Sequence, residues 1–221
     1  MKVDFATTRS QQLYEMADLA VIGISPFNSY FSEGQITRLA QWAHSHFKRV
    51  MFFIPDGAAE YTQRALGYEE RKAKKRARRQ CTYLHNKVYR VVASGSIESE
   101  LVDSVWLEQS ESYSSTYCEV EQKFNSDESF RAGCLETSRW VLEHHSAKGQ
   151  VTIDMMLMAV RYLLAELPVI LHSADIVGSE SACFCYHSCP KFLNDLFREG
   201  DEEVMGRRSG YVIVKNDDEF S

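Results

Sequence analysis

The sequence predicts an α/β protein, a single domain with a mostly parallel sheet flanked by helices. Three observations carry this. Residues 19–25 (LAVIGIS) and 50–54 (VMFFI) are short, continuous apolar runs of the kind that buried parallel strands show. Between them, Ile36, Leu39, Ala40, Ala43 and Phe47 recur at a helical period, which completes a β-α-β unit. Across 221 residues no repeat, low-complexity block or linker marks a boundary, so residues 1–221 read as one domain.

The remaining elements follow in chain order. The spacing predicts a helix over residues 35–48. Residues 69–89 contain neither Gly nor Pro and favour helix formers, so one long helix is expected there. Residues 91–93 read as a short additional strand. Helices are expected around 96–109, 128–145 and 154–167, and a strand at 211–214 (YVIV). Residues 110–126 are polar, yet too rich in Tyr and Phe for a linker, and are assigned no element.

Composition narrows the class. Hydrophobic residues make up 44% and charged residues 25%, the balance of a soluble globular protein. No run approaches the roughly 18 apolar residues of a membrane span. Residues 1–10 include Asp4 and lack a sustained apolar core, so no secretory signal is expected. Six cysteines without an export signal are expected to be reduced thiols in the cytoplasm.

The net charge of −6 is unevenly spread. Residues 64–90 hold ten cations against Glu69 and Glu70, an excess of eight positive charges. Seven of the nine residues from 71 to 79 are cationic. On a helix, Arg71, Lys75, Arg78 and Arg79 share a face, and such a row repels itself unless a polyanion neutralises it. Nucleic-acid phosphates are the partner this pattern fits; a solvated surface helix is the plain alternative.

Three constellations could carry chemistry. Ser25 closes an apolar strand before Pro26, with Gly23 two residues earlier. Carboxyl ends of strands are where ligands sit in open α/β sheets, which makes Ser25 a candidate nucleophile. It is not the G-x-S-x-G elbow, because Phe27 stands where the second glycine belongs. Tyr162 and Glu166, at i and i+4, place a phenol and a carboxylate on one helix face, able to bind an ammonium group and pass a proton. Cys183, Cys185, His187 and Cys189 invite a zinc reading, but along an extended strand they spread over roughly 20 Å and cannot close a tetrahedron. His44, His46, His144 and His145 have no metal-ligand spacing and read as surface or packing residues. There is no Walker loop, no G-x-G-x-x-G, and neither the HIGH nor the KMSKS signature of ATP-using synthetases. An acyl-transfer enzyme would therefore need a substrate that arrives already activated. A noncatalytic RNA-binding module and a serine hydrolase of small esters remain open at this point, the hydrolase lacking a histidine in any recognised motif order.

The strand ending Gly23-Ile24-Ser25 with Asn28-Ser29-Tyr30-Phe31-Ser32 behind it, the basic helix, the helix from Tyr162 to Pro168, and Cys185-Tyr186-His187 occur in that order. As an ordered set they resemble the cyclodipeptide synthase family over residues 19–214. Asn28, Tyr186 and His187 resemble the branch that carries Asn, Tyr and His at those places. The resemblance implies a Rossmann-like domain similar to the catalytic domains of class I tyrosyl- and tryptophanyl-tRNA synthetases. It implies an ATP-independent aminoacyltransferase that joins the aminoacyl groups of two aminoacyl-tRNAs into a cyclic dipeptide, with no cofactor or metal. In that reading Ser25 carries the aminoacyl and dipeptidyl groups, and Tyr162 and Glu166 hold the substrate ammonium. Tyr186 bonds the reacting groups, Gly23, Asn28 and His187 support the site, and Tyr113 aligns with a family site tyrosine. Arg71, Lys75, Arg78 and Arg79 would take the phosphates of the first tRNA. Val21, Gly23, Phe53, Val169 and Phe184 would line the first side-chain pocket, where two phenylalanines imply a small residue such as Ala or Gly, unless the rings point away and a larger residue such as Leu enters first. The segment around Ser138, His145 and Ser146 would line the second and suit a polar residue such as Glu.

Overall fold

In a computed structural model that describes residues 1–95, 99–145, 150–199 and 206–216, strand β2 (Leu19–Gly23) lies inside a six-stranded sheet. Its neighbours are β3 (Arg49–Phe53) and β5 (Ala182–Tyr186), both parallel to it. Outward from β3 comes β4 (Ser99–Val102), and outward from β5 come β6 (Ser209–Lys215) and then β1 (Lys2–Phe5). Among the described residues only the β1–β6 pair is antiparallel. The chain leaves β2 toward β3 on one side, while β5 returns on the other. This makes the β2–β5 seam a topological switch point, where the carboxyl ends of strands open a crevice.

Alternation along β2 divides the core. Leu19 and Val21 face a cluster built with α6 (Glu111–Ser126), α7 (Glu128–His145), α8 (Ile153–Ile176) and α9 (Lys191–Glu199). Ala20 and Ile22 face a second cluster with α1 (Thr8–Met16), α2 (Glu33–His46) and α4 (Glu70–Gly95). All five β2 residues are buried, as an apolar run covered on both faces must be. Ser32 starts α2, its hydroxyl accepting the Gln35 N–H at 3.2 Å.

Four expectations are corrected. Residues 91–93 are not a strand: Leu84, Val88 and Val91 are buried at helical spacing, so α4 runs on to Gly95. Residues 96–109 are not one helix. Leu101 and Val102 pair with Phe52 and Phe53 on the sheet edge, and Asp103 then caps the short α5 (Ser104–Leu107) through the Trp106 N–H at 3.0 Å. Residues 96–98 lie outside the described set. Residues 111–126 form α6, with Ser110 as its cap and Val120 and Phe124 buried. The helix over 154–167 does not stop at Pro168 but continues to Ile176, kinked at His172 (φ −128°, ψ 31°), because residues 167–171 are buried. Among the described residues no helix is long and apolar enough to cross a membrane.

Candidate active site

The backbone of β2 ends in a strained turn. Ile24 N–H still donates to the Phe53 carbonyl at 2.8 Å, but Pro26 has no N–H to offer. Phe27 then adopts φ +64°, the left-handed region. A non-glycine residue there costs about 1–2 kcal/mol. The Phe27 ring packs with Ala59 of α3 (Ala59–Ala65), Ala77 and Cys81 of α4, and Tyr162, contacts that hold it in place. Phe27, standing where an elbow motif would carry its second glycine, thus takes a left-handed backbone, and Ser25 does not.

Ser25 follows this strand end, and β5 supplies its partner. The Tyr186 hydroxyl donates to Ser25 Oγ at 2.9 Å. Asn28 Nδ2 reaches Tyr186 Oη at 3.5 Å and His187 Nε2 at 3.1 Å, while its Oδ1 accepts the Tyr30 N–H at 3.0 Å. The Tyr30 ring stacks on His187, centroids 4.2 Å apart. Asn28 and His187 therefore fix the phenol that touches the serine. Burial pushes the Tyr186 phenol up to about 12, against the lowering effect of its bonds to Ser25 and Asn28. It is a neutral proton donor at physiological pH.

Glycine is required two residues before Ser25. A Cβ on Gly23 would stand 2.6 Å from Phe184 Cζ and 3.2 Å from Tyr186 Cδ2. The Phe184 ring fills that space, 6.3 Å from Phe53 and 5.7 Å from Tyr211.

Tyr162 and Glu166 form the facing wall on α8. Burial pushes the Glu166 carboxyl up to about 8, with the Tyr162 phenol opposing the rise. Burial, and then the Glu166 charge, push the Tyr162 phenol well above its ordinary range. Tyr162 Oη is buried with no partner in hydrogen-bond geometry. The Tyr162 phenol oxygen can accept from a substrate ammonium ion, whose charge the neighbouring Glu166 carboxylate would pair.

These groups border one cavity of about 510 Å³. Gly23, Ser25, Asn28, Tyr162, Glu166, Tyr186 and His187 all line it, as do Ser138, His145 and Phe184. The Ser138 hydroxyl donates to the Cys134 carbonyl at 2.9 Å, so its hydrogen is used within α7. Val21, Phe53 and Val169 are buried and do not border the cavity; Phe53 backs Phe184 instead. Ser146 lies outside the described residues. Tyr113 stands behind α8 and borders a separate cavity of about 290 Å³. Its hydroxyl donates to the Ala165 carbonyl at 3.1 Å, bracing the backbone next to Glu166.

The basic helix shows a division of labour. Ala73, Ala77, Cys81, Leu84 and Val88 form its buried face. Lys74 pairs with Glu70 at 2.7 Å and Arg90 with Glu33 at 2.8 Å, while Arg76 lies over the Tyr68 ring. Arg71, Lys75, Arg78 and Arg79 are exposed and have no ion-pair partner among the described residues. Arg76 Nε also donates to Gln63 Oε1 at 2.9 Å, and Gln63 lines the cavity, a link with no signal in the sequence. Trp140 and His144, also on the cavity wall, were legible only as an i, i+4 aromatic pair.

Among the described residues, Asp56, His85 and Asp103 form a group whose composition and spacing could hold a metal ion, their ligand atoms within 4.8 Å of one another. They do not border the Ser25 cavity, although Asp56 borders the one behind α8. Asp56 Oδ1 already accepts the Ser104 N–H at 2.8 Å and joins the loops after β3 and β4. The four residues of the zinc reading do not gather. Cys183 and Cys185 sit in the core on the α1–α2 side, β5 ends at Tyr186, and His187 stacks on Tyr30.

A mostly parallel sheet flanked by helices, with a cavity at its switch point, defines a Rossmann-like fold of the class I tRNA-synthetase kind. The sequence profile of the cyclodipeptide synthase family matches residues 1–216, and the chain belongs to that family of aminoacyltransferases, which make cyclic dipeptides. It is 30% identical to the cyclo(L-leucyl-L-leucyl) synthase of Bacillus subtilis, over 95% of this chain and 87% of that one. A cyclodipeptide synthase structure from Bacillus thermoamylovorans superposes with a TM-score of 0.91 at 27% identity, covering 97% of this chain and 96% of the other. The tyrosyl-tRNA synthetase of Archaeoglobus fulgidus shares the fold, with a TM-score of 0.57 at 16% identity, over 95% of this chain and 59% of that one.

Proposed function

We propose that this enzyme builds its cyclic dipeptide from two aminoacyl-tRNAs through covalent intermediates on Ser25, in the cytoplasm and without ATP, cofactor or metal. Ser25 Oγ attacks the ester carbonyl of the first aminoacyl-tRNA. The Oγ–C bond forms, the bond to the terminal ribose oxygen breaks, and the serine proton passes through Tyr186 toward the departing ribose oxygen. The bound amino group then loses a proton to Glu166 and attacks the second aminoacyl ester, releasing the second tRNA. Finally the terminal amine attacks the Ser25 ester, closes the ring and returns a proton to Oγ.

The observation that carries this reading is the 2.9 Å bond between Tyr186 and Ser25 Oγ in a cavity that also holds Glu166. An aminoacyl ester is activated, so orientation and a proton donor suffice where an amide would need a full triad. Glu166, neutral when the site is empty, ionises when an ammonium enters beside it, because an opposite charge favours the carboxylate. The four exposed cations of α4 suit tRNA phosphates.

The Phe184 ring, packed over Gly23 on the cavity wall that also holds Ser25, favours a small first side chain, Ala or Gly. Extra methylenes in a packed pocket cost about 1–3 kcal/mol. On the other wall Ser138 and His145 would meet a polar second side chain such as Glu. The test supplies purified protein with alanyl- and glutamyl-tRNA in one reaction, and with free amino acids and ATP in another. The proposal expects cyclic dipeptide only in the first. Product from free amino acids and ATP would overturn tRNA dependence. A dominant dileucine product from mixed aminoacyl-tRNAs would overturn the pocket assignment alone.

A further inference from the structure

We propose that Trp140 is a stacking site for the unpaired terminal base of the aminoacyl-tRNA donor, an inference that rests on the tRNA reading above. Trp140 is 55% exposed, yet it borders the cavity that holds Ser25. Large apolar side chains are exposed singly on many surfaces, so exposure alone would carry nothing. Here the ring also has a fixed neighbour. The His144 Nδ1–H donates to the Trp140 backbone carbonyl at 2.7 Å, and the imidazole so anchored packs beside the indole, centroids 4.1 Å apart. An indole backed in this way at the rim of a reaction cavity presents a flat apolar face to whatever enters.

The chemistry of the donor says what that is. In an aminoacyl-tRNA the amino acid is esterified to the last ribose of a single-stranded end. While the ester carbonyl sits at Ser25, the base on that same ribose must lie at the cavity rim. Single-stranded nucleic acids are bound by aromatic side chains on which bases stack, and by cations that track the backbone. Helix α4 supplies such cations, and Trp140 supplies the aromatic face.

Two alternatives are weaker. Tyr83 and Tyr89 on α4 are exposed to a similar degree, 54% and 57%, but neither borders the cavity. They cannot meet a base tethered to the reacting ester. Trp140 could instead enclose the second amino-acid side chain. A ring more than half in solvent buries little of such a group, whereas one face of a base needs only one face of the indole.

The test is binding of total tRNA, deacylated, in two forms: intact, and stripped of its terminal adenosine. Affinities are measured at one fixed salt concentration with the full-length protein. Wild type is expected to bind the intact form about tenfold more tightly. Trp140→Ala should bring the two affinities together, and Trp140→Phe should restore most of the difference. Equal binding of both forms by wild type would overturn the stacking site alone. So would a tenfold preference that survives in Trp140→Ala. Failure of wild type to bind either form would overturn the tRNA reading and the site with it. Altered products from Trp140→Ala with an undiminished preference for intact tRNA would assign the ring to the second side-chain pocket and overturn this one.

Discussion

Tyr186 and Ser25, 161 residues apart in sequence, meet at 2.9 Å across the seam between β2 and β5. Each stands at the carboxyl end of its strand, and the register that pairs Ile22 with Cys185 sets the two ends level. The phenol donates a hydrogen bond to the serine, and in the proposed mechanism this is the path by which a proton leaves or reaches Oγ. Tyr186→Phe keeps the ring and its packing on Phe31 but removes that path. Acylation should fall about 100-fold, the scale of removing one general acid–base group. Stability should fall by about 1–3 kcal/mol, for the two hydrogen bonds lost at the hydroxyl, to Ser25 and from Asn28. Single-turnover acylation and a denaturant midpoint check the two parts.

Glu166 couples activity to stability. Its carboxyl is raised from an ordinary 4.5 to about 8. Between those values the folded protein keeps a proton that the unfolded chain releases. The group therefore costs stability progressively as pH rises from 4.5 to 8, and the full penalty applies above 8. Glu166→Gln never ionises, so it should be more stable than wild type at pH 8, by an amount on the order of a few kcal/mol. That gain should shrink as pH falls toward 4.5. The variant should also acylate and then stall, because the later steps need a proton acceptor. Urea unfolding at several pH values checks the sign.

The exposed cations of α4 make a prediction about salt. Replacing Arg71, Lys75, Arg78 and Arg79 by Ala should weaken tRNA binding and flatten the plot of log affinity against log salt. The slope should drop by roughly 0.7–0.9 for each phosphate that is no longer neutralised. Stability should barely move, since these side chains hold no ion-pair partner among the described residues. An unchanged slope in a salt titration would reduce α4 to a solvated face.

Gly23 should tolerate no side chain. Gly23→Ala drives a Cβ to 2.6 Å from a Phe184 ring that is itself buried against Phe53 and Tyr211. Such overpacking costs about 1–3 kcal/mol and should displace Tyr186 as well. Pairing it with Phe184→Leu should return most of the stability. A thermal-melt series of the two single variants and the double variant reads this directly.

Much of the site was legible because its chemistry is local in sequence. A serine at a strand end and a phenol one helical turn from a carboxylate are patterns that spacing alone exposes. So is a run of seven cations in nine residues. What stayed hidden depends on tertiary packing. Tyr113 lies behind α8 because α6 packs there, and no spacing predicts that. Val21, Phe53 and Val169 have the apolar character of a pocket lining, but burial placed them behind the wall. The two errors around residues 91–109 share a cause: Val91 completes a buried helical stripe, while Leu101 and Val102 pair on the sheet edge. Short apolar segments do not declare which partner they will find. Pro168 sits within α8 because the following residues are buried in the core, which outweighs a local break.

The proposed mechanism requires Ser25 to become covalently loaded. Intact-protein mass spectrometry after brief mixing with alanyl-tRNA, set beside Ser25→Ala under the same conditions, tests it most directly. The account predicts that wild type gains the mass of one alanyl residue, that the gain maps to the peptide containing Ser25, and that Ser25→Ala gains nothing and makes no cyclic dipeptide. Cyclic dipeptide from Ser25→Ala at the wild-type rate, or turnover by wild type with no adduct at any time point, would contradict it.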